Sequence, residues 1–454
     1  MTQTRAPERP NPISKAMRPI NVLVERFIPS ALVFAIVLTF VVALLALVLT
    51  DAGPVEVVTT WGEGLSGLLA FITQMCLILL LGFILASTRP VQKGLRALAS
   101  VPRTPVAAYG LVCLVAALAS LITWGLGLVV GALLAIQVAK QGRKRGLKLH
   151  FPLLVASGYS GYVVWHMGYS GSAPLTAATP DSFVSEYLGT PLSVMETTFS
   201  TWNIIAAIVT VLAVVGAMML VAPRSGEKIV EFTAEVEEEK EAVYQVQTPA
   251  DRVDASRIPT LLVGLMLVAY LFLHFSDGGG LTLDIVNWSF LALILLMVRS
   301  PFELLDLTSK AASNVGEILL QFPLYAGIMG IMANTGLILV LSDAFVSIAT
   351  PTTFGVLAFL SAGLVNLFVP SGGGQFAVQG PLLLDVADKL GVDPSIAVMA
   401  LSYGDQWTNM IQPFWALPVL AIAGLKMRDI LGYTTVTLLV SGVVLAGTLV
   451  IVSL

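Results

Sequence analysis

Val369-Pro370-Ser371-Gly372-Gly373-Gly374-Gln375 interrupts one apolar run, and Asp405-Gln406-Trp407-Thr408-Asn409 sets a carboxylate among amides and a hydroxyl inside the next. Neither stretch belongs in an ordinary membrane-spanning helix. Unwound backbone at membrane depth survives only where it lines a cavity or is buried in protein. An ionisable group at that depth points to function. A plainer copy of the pair lies in the first half, at Thr123-Trp124-Gly125-Leu126-Gly127 and Tyr159-Ser160-Gly161.

Around these breaks the 454-residue chain is 56% hydrophobic and 11% charged, against about 25% charged for a soluble domain. Several apolar runs reach about 20 residues, enough to cross a hydrocarbon core of roughly 30 Å. The expected fold is therefore an all-α polytopic membrane protein. A net charge of −4 gives no footing for nucleic acid. Cys76 and Cys113 both lie in apolar runs and read as small core residues, not as a disulfide or a metal pair. His150, His166 and His274 are scattered, and no nucleophile–base or metal-ligand spacing appears. An enzyme is not expected, nor any cofactor beyond a coupling ion, H⁺ or Na⁺.

The chain divides in two. Residues 1–26 are Pro-rich and polar and read as a cytoplasmic tail. Residues 27–221 hold a first unit with a re-entrant hairpin at 105–140 and a broken helix at 151–178. Residues 222–258 form a charged linker with an acidic cluster from Glu235 to Glu241. Residues 259–454 add one span and a second unit, with a hairpin at 350–390 and a broken helix at 395–423. Overlaid at a nearly constant shift, Ser120 falls on Asn366, Gly127 on Gly373, Pro174 on Pro418, and Tyr159-Ser160-Gly161 on Tyr403-Gly404-Asp405. With the N-terminus inside, basic residues collect in the expected inside loops and acidic ones in the outside loops, as the positive-inside rule asks. About nine crossings and two hairpins then turn the second unit upside down relative to the first. Such inverted repeats with broken helices are the architecture of secondary transporters.

Helix N-termini carry partial positive charge and unpaired N–H groups. Each hairpin tip offers one, in the helix after Gly127 and the helix after Gly374, and no Arg or Lys lies in the middle of any span. A small carboxylate could be held by the tips at Thr123, Trp124, Gly125, Ser371, Gly372, Gly373, Gly374 and Gln375. Ser160, His166, Ser170 and Thr408 would assist, and the alkyl part would lie on Trp124, Trp165, Phe376, Trp407 or Phe414. The plain alternative is a tight-packing turn without a ligand. Asp405 lies deep in the second broken helix, with Asn409 one helical turn on and Asn366 near by in depth. These three are the candidate ion-coupling residues, as a proton carrier or, with Asp405 and Asn409 as ligands, a Na⁺ site; the alternative is a structural anchor for unwound backbone.

Tyr159-Ser160-Gly161-Tyr162-Val163-Val164-Trp165-His166, Ser170-Gly171-Ser172-Ala173-Pro174-Leu175, the 369–375 stretch and Gly404-Asp405-Gln406-Trp407-Thr408-Asn409-Met410-Ile411-Gln412-Pro413-Phe414-Trp415 resemble the bacterial short-chain fatty acid transporters. The resemblance covers the chain outside the tail and the linker. It implies uptake of short monocarboxylates such as butyrate or acetoacetate, and a multi-pass protein of the bacterial inner membrane. Through the wider ion transporter superfamily it implies a homodimer with a scaffold and a transport domain moving as an elevator. An anion channel of similar build, a Na⁺-coupled dicarboxylate carrier and a membrane enzyme are the competing readings. The dicarboxylate carrier would want a second positive group, which the sequence lacks.

Overall fold

The structure, a computed structural model, describes residues 31–67, 69–179, 182–223, 229–232, 247–279, 283–312 and 315–454. The tail at 1–26 and the acidic cluster at Glu235–Glu241 lie outside the described residues. Every regular element among the described residues is helical. The apolar runs leave no other economical way to pair their backbone groups.

The first unit opens with α1 (Ala31–Leu49), α2 (Pro54–Gly64), α3 (Leu69–Ser87) and α4 (Arg89–Ala99). The expected first hairpin is two helices, α5 (Pro105–Ile122) and α6 (Trp124–Lys144), joined at Thr123. Thr104 caps α5 by accepting the Ala107 N–H at 3.2 Å, and Pro105 occupies a first-turn position whose N–H has no helical acceptor in any case. The first broken helix is α7 (Phe151–Ser160), a 3₁₀ segment (Gly161–Met167) and α8 (Ser172–Ala177). Short α9 (Phe183–Leu188) and long α10 (Thr201–Leu220) complete the unit.

After α11 (Pro249–Asp254) come α12 (Ile258–Ser276), α13 (Leu283–Met297) and α14 (Pro301–Ala312). The next apolar stretch is divided into α15 (Gly316–Asn334) and α16 (Leu337–Val346), because Gly336 adopts a left-handed φ of 74° between them. The second hairpin is α17 (Phe354–Asn366) and α18 (Gly372–Leu390), and the second broken helix is α19 (Pro394–Thr408), a 3₁₀ turn (Asn409–Ile411) and α20 (Pro413–Ala423). The final helix is α21 (Met427–Val452).

Five helices among the described residues, α5, α6, α10, α12 and α21, are long and apolar enough to cross a membrane. Two of them are the arms of the first hairpin, so length alone does not set those arms apart from ordinary spans. Burial grades them instead: 67% of the α6 window and half of the α5 window lie inside the protein, against 44% for α10, 22% for α21 and 11% for α12. The hairpins and broken helices share one core, in which α17 packs along α19 and α5 along the first 3₁₀ segment. A second, smaller cluster joins α3 to α13 and α14 through Leu81, Ile84, Val286, Phe290, Ile294 and Leu307.

Two glycines permit the closest helix crossings in the shared core. A Cβ on Gly161 would stand 2.5 Å from Ala117 N and 2.6 Å from Cys113 O; one on Gly404 would stand 2.7 Å from Gly363 N and collide with Phe359 O. Each broken helix therefore lies on its own hairpin's first arm through a glycine. These contacts set Gly161 opposite Gly404, which differs by one residue from the sequence overlay and leaves Tyr162, not Gly161, opposite Asp405.

Candidate functional site

Both hairpin tips face one cavity of about 400 Å³. Thr123 and Trp124 come from the first tip, and Ser371, Gly372 and Gly373 from the second. Ser170, Ser172, Leu175, Thr176 and Thr179 enter from the turn and short helix that follow the first 3₁₀ segment, Trp165 from that segment, Trp415 from α20 and Val286 from α13. Among the described residues no charged side chain lines it.

The tips are built one turn earlier than the glycine pattern suggests. The helices start at Trp124 and Gly372, with Thr123 and Ser371 as the N-cap residues, so Gly127 and Gly374 lie inside the first turn and do not precede it. The Ser371 hydroxyl accepts the Gly374 N–H at 3.3 Å, and Ser371 O accepts from Gln375 N at 2.7 Å. The N–H groups of Gly372 and Gly373 have no acceptor within their helix. At the first tip, Trp124 N donates to Ser170 Oγ at 3.0 Å, which leaves the Ser170 hydroxyl proton free to donate. The apolar wall is a tryptophan pair, Trp124 and Trp415, with ring centres 5.1 Å apart and edge to face.

Beneath this wall lies a buried polar network. His166 and Asp405 are both fully buried, and Nδ1 is 2.8 Å from Oδ2. Ala173 N donates to His166 Nε2 at 3.1 Å, so Nε2 holds a lone pair and the ring proton sits on Nδ1, directed at Asp405. The other carboxylate oxygen, Oδ1, accepts from Asn366 Nδ2 at 2.9 Å. The same nitrogen also donates to Asp405 O and, at 3.0 Å, to Asn409 Oδ1. Gln412 Nε2 donates to Asn366 Oδ1 at 2.8 Å and to Asn409 Oδ1 at 3.1 Å. Gln406 Oε1 accepts the main-chain N–H of His166 at 3.0 Å.

These distances bear on Na⁺. Asn366 Nδ2 stands among the oxygens of Asp405 and Asn409 that a cation would need, and every one of them already accepts a hydrogen bond. A hard cation is held by several oxygens at once, and in this arrangement the Asn366 amide nitrogen, a donor, occupies the space between those of Asp405 and Asn409. No group of three His, Cys, Asp or Glu able to hold a metal ion occurs among the described residues.

Of the residues expected at the substrate, Thr123, Trp124, Ser170, Ser371, Gly372 and Gly373 line the cavity. Gly125 faces Ile78 instead. Gly374 sits over Ser371 and Met329. Gln375 Nε2 turns inward to Ala362 O and Gln379 Oε1, each at 2.9 Å. Ser160 Oγ meets Thr437 Oγ1 at 2.6 Å, and Thr408 donates to Gly363 O at 2.8 Å. His166 lies behind the wall and not on it. Of the expected aromatic platform, Trp165 and Trp124 are present. Phe376 packs on Phe183, Trp407 on Phe359, and Phe414 on Phe322. Sequence reading missed Trp415, Ser172, Val286 and the Leu175, Thr176 and Thr179 side of the cavity. Trp415 closes the Asp405 motif and could have been found there; Val286, in an ordinary apolar run, carries no signal.

A family profile described as "Short chain fatty acid transporter" matches residues 12–452. A protein of Escherichia coli (strain K12), provisionally named a short-chain fatty acid transporter, is 42% identical over 95% of this chain and 98% of its own. One from Haemophilus influenzae with the same provisional name is 36% identical over 94% of this chain and 97% of its own. Among solved structures, the YdaH transporter of Alcanivorax borkumensis overlaps with a TM-score of 0.44 at 16% identity, over 92% of this chain and 98% of that one.

Proposed function

The chain belongs to the short chain fatty acid transporter family, and from that premise we propose that it is a secondary carrier of short-chain monocarboxylates of the butyrate or acetoacetate kind. The observation that carries this reading is the cavity itself. Two helix starts and the hydroxyls of Ser170, Ser172 and Ser371 converge on a space walled by Trp124, Trp165 and Trp415, with no charged side chain on it among the described residues. The carboxylate accepts the N–H groups of Gly372 and Gly373 and the serine hydroxyl protons. Those dipoles stabilise one negative charge in a water-poor site without a cation to trap it. The alkyl part lies on the tryptophans, where burial contributes about 0.8 kcal/mol per methylene. A dicarboxylate would leave its second charge on an apolar wall, which disfavours the dicarboxylate reading.

In this reading the two hairpin units are inverted repeats in a multi-pass protein of the bacterial inner membrane. The hairpins and broken helices form a transport domain that moves as an elevator against a scaffold of α1, α3, α12, α13 and α15, which also makes a homodimer. Val286 supports that division, because it brings a residue of the smaller α3–α13 cluster to the cavity wall. Asp405, with Asn366 and Asn409 around it, couples uptake to an ion gradient.

Calorimetric titration of the purified protein with butyrate tests the site. Wild type is expected to bind butyrate and not butyramide, and Ser371→Ala to bind it several-fold more weakly. Equal binding of butyrate by both proteins would reject the hairpin-tip site.

A further inference from the structure

His166 touches both the cavity wall and the buried carboxylate. On the cavity side Ser172 Oγ lies 3.4 Å from Nε2, and Ser172 itself lines the space. On the inner side Nδ1 lies 2.8 Å from Asp405 Oδ2. The ring is held flat between these contacts by Trp165, stacked at 4.1 Å. The charged group that faces it is Asp405, from α19. The other titratable groups packed around its segment are Tyr159 on α7, Tyr162 on the segment itself, Cys113 on α5 and Tyr403 on α19, phenols and a thiol without charge at neutral pH. From α8 and α18 come Ser172, Ala173 and Gly372.

Building on the carrier reading above, we propose that the coupled ion is a proton, and that it passes between the cavity and Asp405 through Ser172 and His166. The step balances without any co-reactant. A proton arriving from the cavity forms an N–H bond at Nε2. The N–H bond at Nδ1 breaks, and its proton forms an O–H bond at Asp405 Oδ2. The pair goes from neutral imidazole and carboxylate to the other neutral tautomer and a carboxylic acid. One proton is taken up, and the buried negative charge is discharged before the domain moves.

The hydrogen bonds make this uptake conditional. Once Nε2 carries a proton it faces the Ala173 N–H, donor against donor, while Ser172 Oγ can turn to accept from it. Loading therefore requires the turn from Gly168 to Ala173 to shift, and that turn carries Ser170 and Ser172 on the cavity wall. Proton and substrate are thus linked through the same six-residue stretch. The Asn366 amide, seated among the oxygens a cation would use, is the second reason to assign a proton.

The test uses full-length protein in liposomes loaded with labelled butyrate on one side, with an imposed proton gradient, an imposed Na⁺ gradient, or neither, as butyrate counterflow. Wild type is expected to accumulate butyrate on the proton gradient. In His166→Asn the shorter amide still reaches Asp405 but places nothing at the Nε2 position. Its gradient-driven accumulation is expected to fall about tenfold or more, with counterflow retained at a lower rate, since exchange needs no net proton transfer. A His166→Asn protein that keeps the full response to the proton gradient overturns the relay. Wild type that accumulates only on the Na⁺ gradient overturns the proton. Wild type that neither accumulates nor exchanges butyrate overturns the carrier reading beneath both. Should His166→Asn fail to fold, ¹⁵N NMR of the wild-type imidazole decides: a change from the Nδ1–H to the Nε2–H tautomer on acidification supports the relay, and an Nδ1–H signal at every pH overturns it.

Discussion

A Cβ on Gly372 would stand 2.7 Å from Cε1 of His166, so the glycine tip of the second hairpin rests directly on the ring that binds Asp405. The ring cannot retreat. Nδ1 and Nε2 are both engaged, and Trp165 Cη2 would lie 3.0 Å from the same added carbon. At Gly373 the added carbon would meet only Ser172 Cβ, at an ordinary 3.7 Å. Gly372→Ala is therefore expected to reduce butyrate uptake about tenfold, in keeping with ~1–3 kcal/mol of overpacking, and Gly373→Ala to lose much less. Equal losses at matched protein levels would contradict the contact.

Asp405→Asn turns one acceptor into a donor. Facing inward, the new amide nitrogen meets Asn366 Nδ2; facing outward, it meets His166 Nδ1–H. Switching the imidazole tautomer only moves the conflict to Ala173 N. A buried donor left without a partner costs about 1–3 kcal/mol. The variant is expected to fold with a lowered melting temperature in detergent and to lose gradient-driven accumulation. An unaltered dependence on the imposed gradient would remove Asp405 from the coupling.

The two tight crossings make a paired prediction about stability. Gly161→Ala and Gly404→Ala each press a methyl group against main-chain atoms of the facing hairpin, and each is expected to destabilise by about 3 kcal/mol. Gly447, in α21 with nothing within 4 Å of an added Cβ, is the control. Gly447→Ala should stabilise slightly, by about 0.5–1 kcal/mol, through helix propensity. Thermal unfolding of the three variants in one detergent compares them; a wild-type melting temperature for Gly161→Ala or Gly404→Ala would show that the crossing is looser than the structure has it.

Val286 reaches the cavity from α13. Val286→Phe shortens the space available to the alkyl tail, and one misfitting methylene is worth about 1–3 kcal/mol in an apolar pocket. The KM for butyrate should rise several-fold and that for acetate much less. An unchanged ratio of the two KM values would take Val286 out of the site.

Much of this was legible in the chain because membrane physics punishes polar breaks so heavily. A glycine run between apolar arms and a lone carboxylate in the next run mark where the helices break, at Thr123, after Ser160, before Gly372 and after Thr408, and Thr123 and Ser371 line one cavity. The glycine pattern sets the helix starts too late, after Gly127 and Gly374; Thr123 and Ser371 are ordinary N-cap residues and carry the better signal. Depth alone misplaced Ser160, Gln375 and Thr408. A buried hydroxyl or amide turns to the nearest carbonyl or side chain whatever cavity lies near by, as Thr408 does to Gly363 O. The contact between His166 and Asp405 spans 239 residues, and nothing local to either residue announces it.

The proposed handling of short carboxylates is tested most directly by uptake of labelled butyrate into liposomes containing the purified protein, above the pH at which butyric acid itself crosses lipid, with unlabelled acetate, acetoacetate and butyramide as competitors. Accumulation well above protein-free liposomes, blocked by acetate and acetoacetate but not by butyramide, is the expected result. Accumulation no greater than in protein-free liposomes, or equal competition by butyramide, would contradict it.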